Sequence, residues 1–149
     1  MATIAKNKKA FHDYEIVEKF EAGIELRGTE VKSIRNGNVN LKDSFVKFLS
    51  NQAYLINCHI SEYSQGNIAN HEPTRSRRLL MHRKEIDKLM GKMQEKGLSV
   101  VPLAMYFNGR NLIKVEIALA KGKKVHDKRR SMREKDMNRE MERALKNRM

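Results

Sequence analysis

The residues of this chain with the clearest chemistry are cations. Between 121 and 130 the sequence reads Lys121-Gly122-Lys123-Lys124-Val125-His126-Asp127-Lys128-Arg129-Arg130, six cations in ten positions. Such a strip neutralises several phosphates at once, and a glycine inside it lets the backbone approach a ligand closely. His126, and Tyr106 upstream, add planar groups that can stack on bases. A solvated tail serving solubility would also carry such charge, but the clustering favours RNA.

Catalytic arrangements are missing by comparison. The five histidines, His12, His59, His71, His82 and His126, are scattered, and Cys58 and His59 are adjacent rather than at a metal-ligand spacing. Gly-x-Ser-x-Gly, P-loop and Rossmann patterns do not occur. Glu21 and Glu25 share one parity of a strand, where solvated carboxylates are a better account than an acid/base pair. Neither enzymatic activity nor a metal or cofactor is expected.

Charge bounds the partners further. The 149 residues carry a formal net charge of +13, which points to an anionic partner, nucleic acid or a membrane surface. Residues 121–149 hold 12 Lys and Arg against 5 Asp and Glu, a net of +7, so a fifth of the chain supplies more than half of the charge. The apolar pattern stops near Ala120. This divides the chain into a body at 1–120 and a basic, Met-rich tail at 121–149. One cysteine cannot form an internal disulfide. Met1 to Lys9 has no apolar run, and no stretch approaches transmembrane length, so a cytoplasmic protein without membrane anchor is expected.

The body must position these groups, and its pattern is mainly β. Tyr14 to Leu26 alternates, with Tyr14, Ile16, Phe20, Ala22, Ile24 and Leu26 on one parity and Glu15, Lys19, Glu21 and Glu25 on the other. Glu18 breaks the apolar parity and Gly23 lies on the polar one, so a bulge or bend is predicted. Gly28-Thr29 offers an N-cap to a short helix that Asn36-Gly37 ends. Ser44–Leu49 and Gln52–Ile60 read as a strand pair around Ser50-Asn51, with Tyr54, Ile56, Cys58 and Ile60 inward.

Residues 61–74 form a long polar connection, either functional or a disordered excursion. Ile86, Leu89, Met90 and Met93 recur at helical spacing up to Gly97. Leu98–Phe107 and Arg110–Ala120 flank Asn108-Gly109, a strong two-residue hairpin signal, and Pro102 argues for an edge strand or a bulge. In the last strand Val115, Ile117 and Leu119 point one way, Lys114 and Glu116 the other. Five or six antiparallel strands with two short inserted helices suit a small Greek-key barrel of the OB type. In the tail, Met137, Met141 and Leu145 would share a helical face, to dock on the body or on a partner, and so short a helix is marginal alone. The tail is therefore expected to be disordered or to become helical on binding. A basic amphipathic tail also suits anionic lipid, although its apolar face lacks Trp and Phe.

Four segments taken together resemble the SsrA-binding family of bacteria, also called small protein B: Glu21-Ala22-Gly23-Ile24, Gly28-Thr29-Glu30-Val31-Lys32-Ser33-Ile34-Arg35, Pro73-Thr74-Arg75-Ser76-Arg77-Arg78-Leu79-Leu80, and Lys121-Gly122-Lys123-Lys124 followed by His126-Asp127-Lys128-Arg129. The resemblance implies a non-catalytic, monomeric OB-like barrel that binds the tRNA-like domain of transfer-messenger RNA and accompanies it to stalled ribosomes in trans-translation. It implies that Glu21, Leu80 and Lys114 support RNA binding by the barrel. Lys114 would meet phosphate, Glu21 would accept from a base or 2′-hydroxyl or orient a neighbouring cation, and Leu80 would shape the apolar surface beneath or simply pack in the core. It implies too that Gly122, Lys123, Lys124, His126, Asp127, Lys128 and Arg129 act at the ribosome. The tail would then be helical in the empty mRNA channel of the small subunit and His126 would stack at the decoding centre. Glu72, Arg78 and Met81 depart from the family's usual Asp, Lys and Leu. An OB-fold ribosomal or initiation protein is the alternative within translation.

Overall fold

The computed structural model describes residues 2–63, 70–95 and 97–123, together with positions 139 and 141. Lys124, His126, Asp127, Lys128 and Arg129 lie outside the described residues, as does most of the tail. The elements run β1 (Ala2–Lys6), α1 (Lys8–Asp13), β2 (Tyr14–Ile24), α2 (Gly28–Arg35), β3 (Val39–Asn40), β4 (Phe45–Leu49), β5 (Gln52–Ile56), β6 (His59–Ile60), β7 (Arg77–Leu80), α3 (Arg83–Lys92), β8 (Leu98–Phe107) and β9 (Ile113–Gly122).

Seven strands build one antiparallel sheet in the order β1-β8-β9-β2-β7-β5-β4, and β3 pairs with β6 apart from it. The sheet curls until β4, at one end, packs against β8. This is the expected mainly-β, barrel-like body with short helices. The long strands curve where an extra residue enters. The β2 register shifts between Ile16 and Glu18, and the β8 register shifts between Pro102 and Ala104. Pro102 thus marks a bulge, for β8 lies between β1 and β9 and is no edge.

Two apolar clusters follow from strand alternation. Ala22, Leu55, Leu79, Met105, Val115, Ile117 and Leu119 fill the inside of the curl, with Ile34 of α2 and Leu89 of α3 packed among them. On the opposite face α1 lays Ala10 over Val101, Leu103, Ala118 and Ala120. That second cluster explains why both parities of β9 are apolar after Ile117.

Several local expectations are corrected. In β5 the buried residues are Ala53, Leu55 and Ile56, while Tyr54 is half-buried. Ile56, Cys58 and Ile60 are buried as expected; Asn57 takes a positive φ of 62° and ends the strand, so Ile60 lies on a separate short strand. The β8–β9 loop is not a two-residue turn. Phe107 pairs with Ile113, Asn111 holds the positive φ, and the Asn108 side chain accepts from the amides of Arg110 and Leu112. The N-cap of α2 is Arg27, one residue earlier than Gly28, because Glu30 reaches back to accept the Arg27 N–H at 2.7 Å. Arg77–Leu80 forms a strand that the sequence pattern did not indicate, and β1 and α1 arise from an N-terminus that showed no apolar run.

One buried polar network ties these pieces together. The Glu30 carboxylate, with no exposed side-chain surface, accepts from Arg77 Nε, from Arg75 Nη2 at 2.6 Å and from the Arg27 amide at 2.7 Å. Arg77 is also fully buried, and donates onward to the carbonyls of Cys58 at 2.8 Å and Pro73 at 3.0 Å. Beside it, buried His71 sits between the Thr29 hydroxyl and the Ile60 carbonyl, 2.8 Å from each. Burial pushes the Glu30 carboxyl up, but the hydrogen bonds from Arg75, the Arg27 amide and Arg77 outweigh it and hold it below the usual carboxylate range. The Cys58 thiol, desolvated in the core beneath, is pushed up to about 12.

Two outcomes follow from that network. Arg77→Met leaves Glu30 buried without its main partner, so urea titration at pH 7 should show a loss of about 3–5 kcal/mol. A loss within about 1 kcal/mol, as for surface pairs, would contradict it. Because the Glu30 pKa is lower folded than unfolded, its contribution is complete above the unfolded value of about 4.3 and is lost as pH falls through the folded value. The wild-type urea midpoint should therefore drop below about pH 4, and Arg77→Met should lose part of that dependence.

Candidate nucleic-acid interface

The outer face of the sheet, on the side that α1 partly covers, is set by strand register. Gly23 of β2 pairs with Leu80 of β7 on one side and with Lys114 of β9 on the other, and Lys114 pairs in turn with Tyr106 of β8 and Tyr106 with Thr3 of β1. The next row runs from Glu21 to Glu116 to Ala104 to Lys6. Glu21, Leu80 and Lys114, far apart in sequence, are thus neighbours on one face. Leu80 and Lys114 approach each other because β2, the one strand between them, carries a glycine where they cross it, two residues from Glu21.

Gly23 makes this close approach possible. A Cβ built there would stand 3.2 Å from Leu80 Cβ and 3.6 Å from Lys114 Nζ. The position needs the missing side chain rather than an unusual backbone angle. Leu80 is 45% exposed, whereas its neighbour Leu79 is buried, so Leu80 is a surface residue and core packing does not explain it. Lys114 is half-buried and Glu21 exposed, both outward as the alternation predicts.

The face is electrostatically mixed. Glu21 and Glu116 lie directly across from one another, an arrangement that costs stability unless other groups intervene. Tyr106 donates its hydroxyl to Glu21, and Lys19 lies 3.9 Å from Glu116. Burial raises the Tyr106 phenol well above the ordinary tyrosine range, with the Glu21 hydrogen bond and the charges of Glu21 and Glu116 adding to it. The phenol therefore stays protonated, which keeps it a donor and fixes the Glu21 carboxylate in place. In the sequence Tyr106 stands out for its ring. Its hydroxyl, and the role of Glu116, depend on a register that only the fold displays.

The junction is partly in view. β9 extends past Ala120 through Gly122: Lys121 pairs with Glu15 and Leu98, Gly122 pairs with Tyr14, and the Lys123 amide donates to the Asp13 carbonyl at 3.1 Å. Gly122 is therefore the end of a paired strand, held through Tyr14 and followed by a residue that Asp13 holds. Of the polar connection at 61–74, residues 64–69 lie outside the described residues. Its two ends are held together, since Tyr63 exchanges hydrogen bonds with Asn70 and the Lys32 ammonium lies over the Tyr63 ring. Among the described residues no group of three or more His, Cys, Asp or Glu could hold a metal ion, and no helix is long and apolar enough to cross a membrane.

Fold and face together define a small antiparallel β-barrel protein that displays a mixed polar and basic sheet surface beside a basic C-terminal strand end. Comparison with known proteins narrows this. The family model of the SmpB protein matches residues 4–147, and the chain belongs to that family. It is 59% identical over 143 residues to the SsrA-binding protein of Carboxydothermus hydrogenoformans, covering 96% of this chain and 95% of that one. The SsrA-binding protein of Thermosipho africanus is 52% identical over 146 residues, with 98% of each chain covered. A chain in the solved structure described as "tmRNA-SmpB: a journey to the center of the bacterial ribosome" matches with a TM-score of 0.70 at 50% identity, over 85% of this chain and 88% of that one.

The Tyr106 contact can be checked directly. In an alkaline ultraviolet titration, one of the four tyrosines should ionise above the ordinary range near pH 10. That late step should vanish in Tyr106→Phe and move toward the ordinary range in Glu21→Gln; a wild-type curve without it would refute the contact.

Proposed function

We propose that this chain is a non-catalytic RNA-binding protein that binds the tRNA-like domain of transfer-messenger RNA and delivers it to stalled ribosomes for trans-translation. Its work is then in the cytoplasm, with transfer-messenger RNA and the ribosome as partners. The observation that carries the reading is the meeting of Glu21, Leu80 and Lys114 on one outer face of the sheet, in a chain whose relatives are named for SsrA binding.

Each residue has a role its chemistry allows. Lys114, outward and next to Gly23, meets phosphate. Glu21, which cannot attract phosphate, accepts from a base edge or 2′-hydroxyl while Tyr106 holds it. Leu80 supplies apolar surface against a sugar or base. The junction of Gly122, Lys123, Lys124, His126, Asp127, Lys128 and Arg129 serves a second RNA, the decoding centre of the small subunit, and the tail beyond it enters the empty mRNA channel. In this reading the two RNA contacts are separate, one on the barrel and one at the end of β9.

Separation makes the reading testable. Deleting residues 130–149 should leave affinity for the tRNA-like domain within about twofold while abolishing tagging on stalled ribosomes; a large affinity loss would overturn the division of labour. Lys114→Ala should weaken the domain's binding and reduce the slope of log affinity against log salt by about one unit. An unchanged slope would exclude a phosphate contact at Lys114.

A further inference from the structure

Next to Glu21 the outer face is hollow. A cleft of about 600 Å³ opens between the β1, β8, β9 and β2 strands and α1, with Lys6, Phe11, Lys19, Glu21, Tyr106 and Glu116 in its lining. It exists because α1 lies on this face of the sheet and stops short of the Glu21–Glu116 row. The volume holds a single nucleotide and would not admit a duplex.

The lining is unusual for so basic a chain. Phe11 leaves 37% of its surface exposed here, although α1 buries Ala10 one residue earlier, and the Lys6 ammonium sits 5.4 Å from the Phe11 ring centroid. An aromatic ring flanked by a cation is the platform on which an unstacked base rests. Opposite it stand two carboxylates, Glu21 and Glu116, which can only accept hydrogen bonds when ionised. Glu21 receives the Tyr106 hydroxyl on one oxygen, leaving acceptor capacity directed to the cleft. Lys19 lies 3.9 Å from Glu116, and with Lys6 it gives the lining two cations available to flanking phosphates.

We propose that this cleft takes one unpaired guanine base of the bound RNA, stacked on Phe11 with its Watson–Crick edge on the Glu21 carboxylate. Guanine is the base that offers two adjacent donors, N1–H and the N2 amine, to one carboxylate. Adenine presents an acceptor at N1 and is repelled there. Cytosine presents the N3 acceptor beside its amine, and uracil presents carbonyl oxygens on both sides of its single N3–H donor. Tyr106 is a positioning residue in this scheme, since it holds the carboxylate without touching the base. The proposal rests on the RNA-binding reading above and adds to it a base-specific site.

The test uses the full-length chain, labelled with ¹⁵N and titrated in separate samples with GMP, AMP, CMP and UMP. GMP should shift the amide signals of Lys6, Glu21, Ala104 and Tyr106, with an affinity about tenfold or more above the other three nucleotides. Phe11→Ala, a substitution at an exposed position, should weaken GMP about fivefold or more. Glu21→Gln should abolish the preference for GMP over AMP. Equal shifts from all four nucleotides, GMP shifts that map elsewhere, or no shift at all would overturn the proposal. Binding of the labelled tRNA-like domain is measured on the same proteins. If the domain binds and GMP does not, the base site falls and the RNA reading stands; if GMP binds selectively and the domain does not, the reverse holds.

Discussion

The outer face depends on a buried ion pair on the other side of the sheet. Glu30 and Arg77 have no solvent contact, and burying two such charges costs several kcal/mol each unless their remaining donors and acceptors are satisfied. They are: three donors converge on the carboxylate, and two backbone carbonyls take the guanidinium's other protons. The partners come from the α2 N-terminus, Cys58 between β5 and β6, the 73–75 approach and β7, so one pair fixes how four segments meet. β7 in particular has little else to hold it, with only two paired residues against β2 and three against β5. A short strand held by a charge at its first residue is what places Leu80 across from Gly23.

That arrangement also explains which parts of the fold could be read from the chain. Long strands with regular alternation, β2 and β9, were legible, and so was the bulge at Glu18, because apolar parity survives in their sequences. β7 was not. Its inward residues are Arg77 and Leu79 and its outward ones Arg78 and Leu80, so each face carries one cation and one leucine and the alternation cancels in hydropathy. Only the tertiary partner, Glu30, turns Arg77 into a core residue. Of the inward set expected from β5 onward, Ile56, Cys58 and Ile60 are buried and Tyr54 is not, since both Leu55 and Ile56 are buried and the alternation breaks between them. At the β8–β9 turn, Asn108 spends its side chain on capping the loop while Asn111 takes the positive φ, a choice between asparagines that spacing alone does not settle.

The candidate site was legible as residues and illegible as a surface. Resemblance brought forward Glu21, Leu80 and Lys114, and alternation placed two of them outward, but the glycine that lets them meet has no meaning until β7 and β9 are both seen to flank it. The opposed carboxylates Glu21 and Glu116 break a local rule of sheet stability. A chain with a net charge of +13 could relieve this cheaply with a lysine at either position. Instead it keeps both acids and spends a buried tyrosine hydroxyl and a neighbouring lysine on them. Local conflicts of this kind are expected where a surface serves recognition rather than stability.

β9 links the outer face at Lys114 to the cationic junction. Lys114 lies near its start and the cationic junction begins at its end, and the strand is paired on both sides, to β2 and β8, through Lys121. At roughly 3.3 Å per residue, the nine steps from Lys114 to Lys123 span about 30 Å along a strand that cannot flex independently of the sheet. The apolar run Ala118–Leu119–Ala120, buried from both sides by the inner core and by α1, stiffens the middle of that span. Asp13, at the end of α1, then accepts from the Lys123 amide and ties α1 to the residue after β9. The same helix that walls the cleft at Phe11 therefore also holds Lys123, directly after β9, so a change in how α1 seats on the sheet would reach the cleft and that residue together.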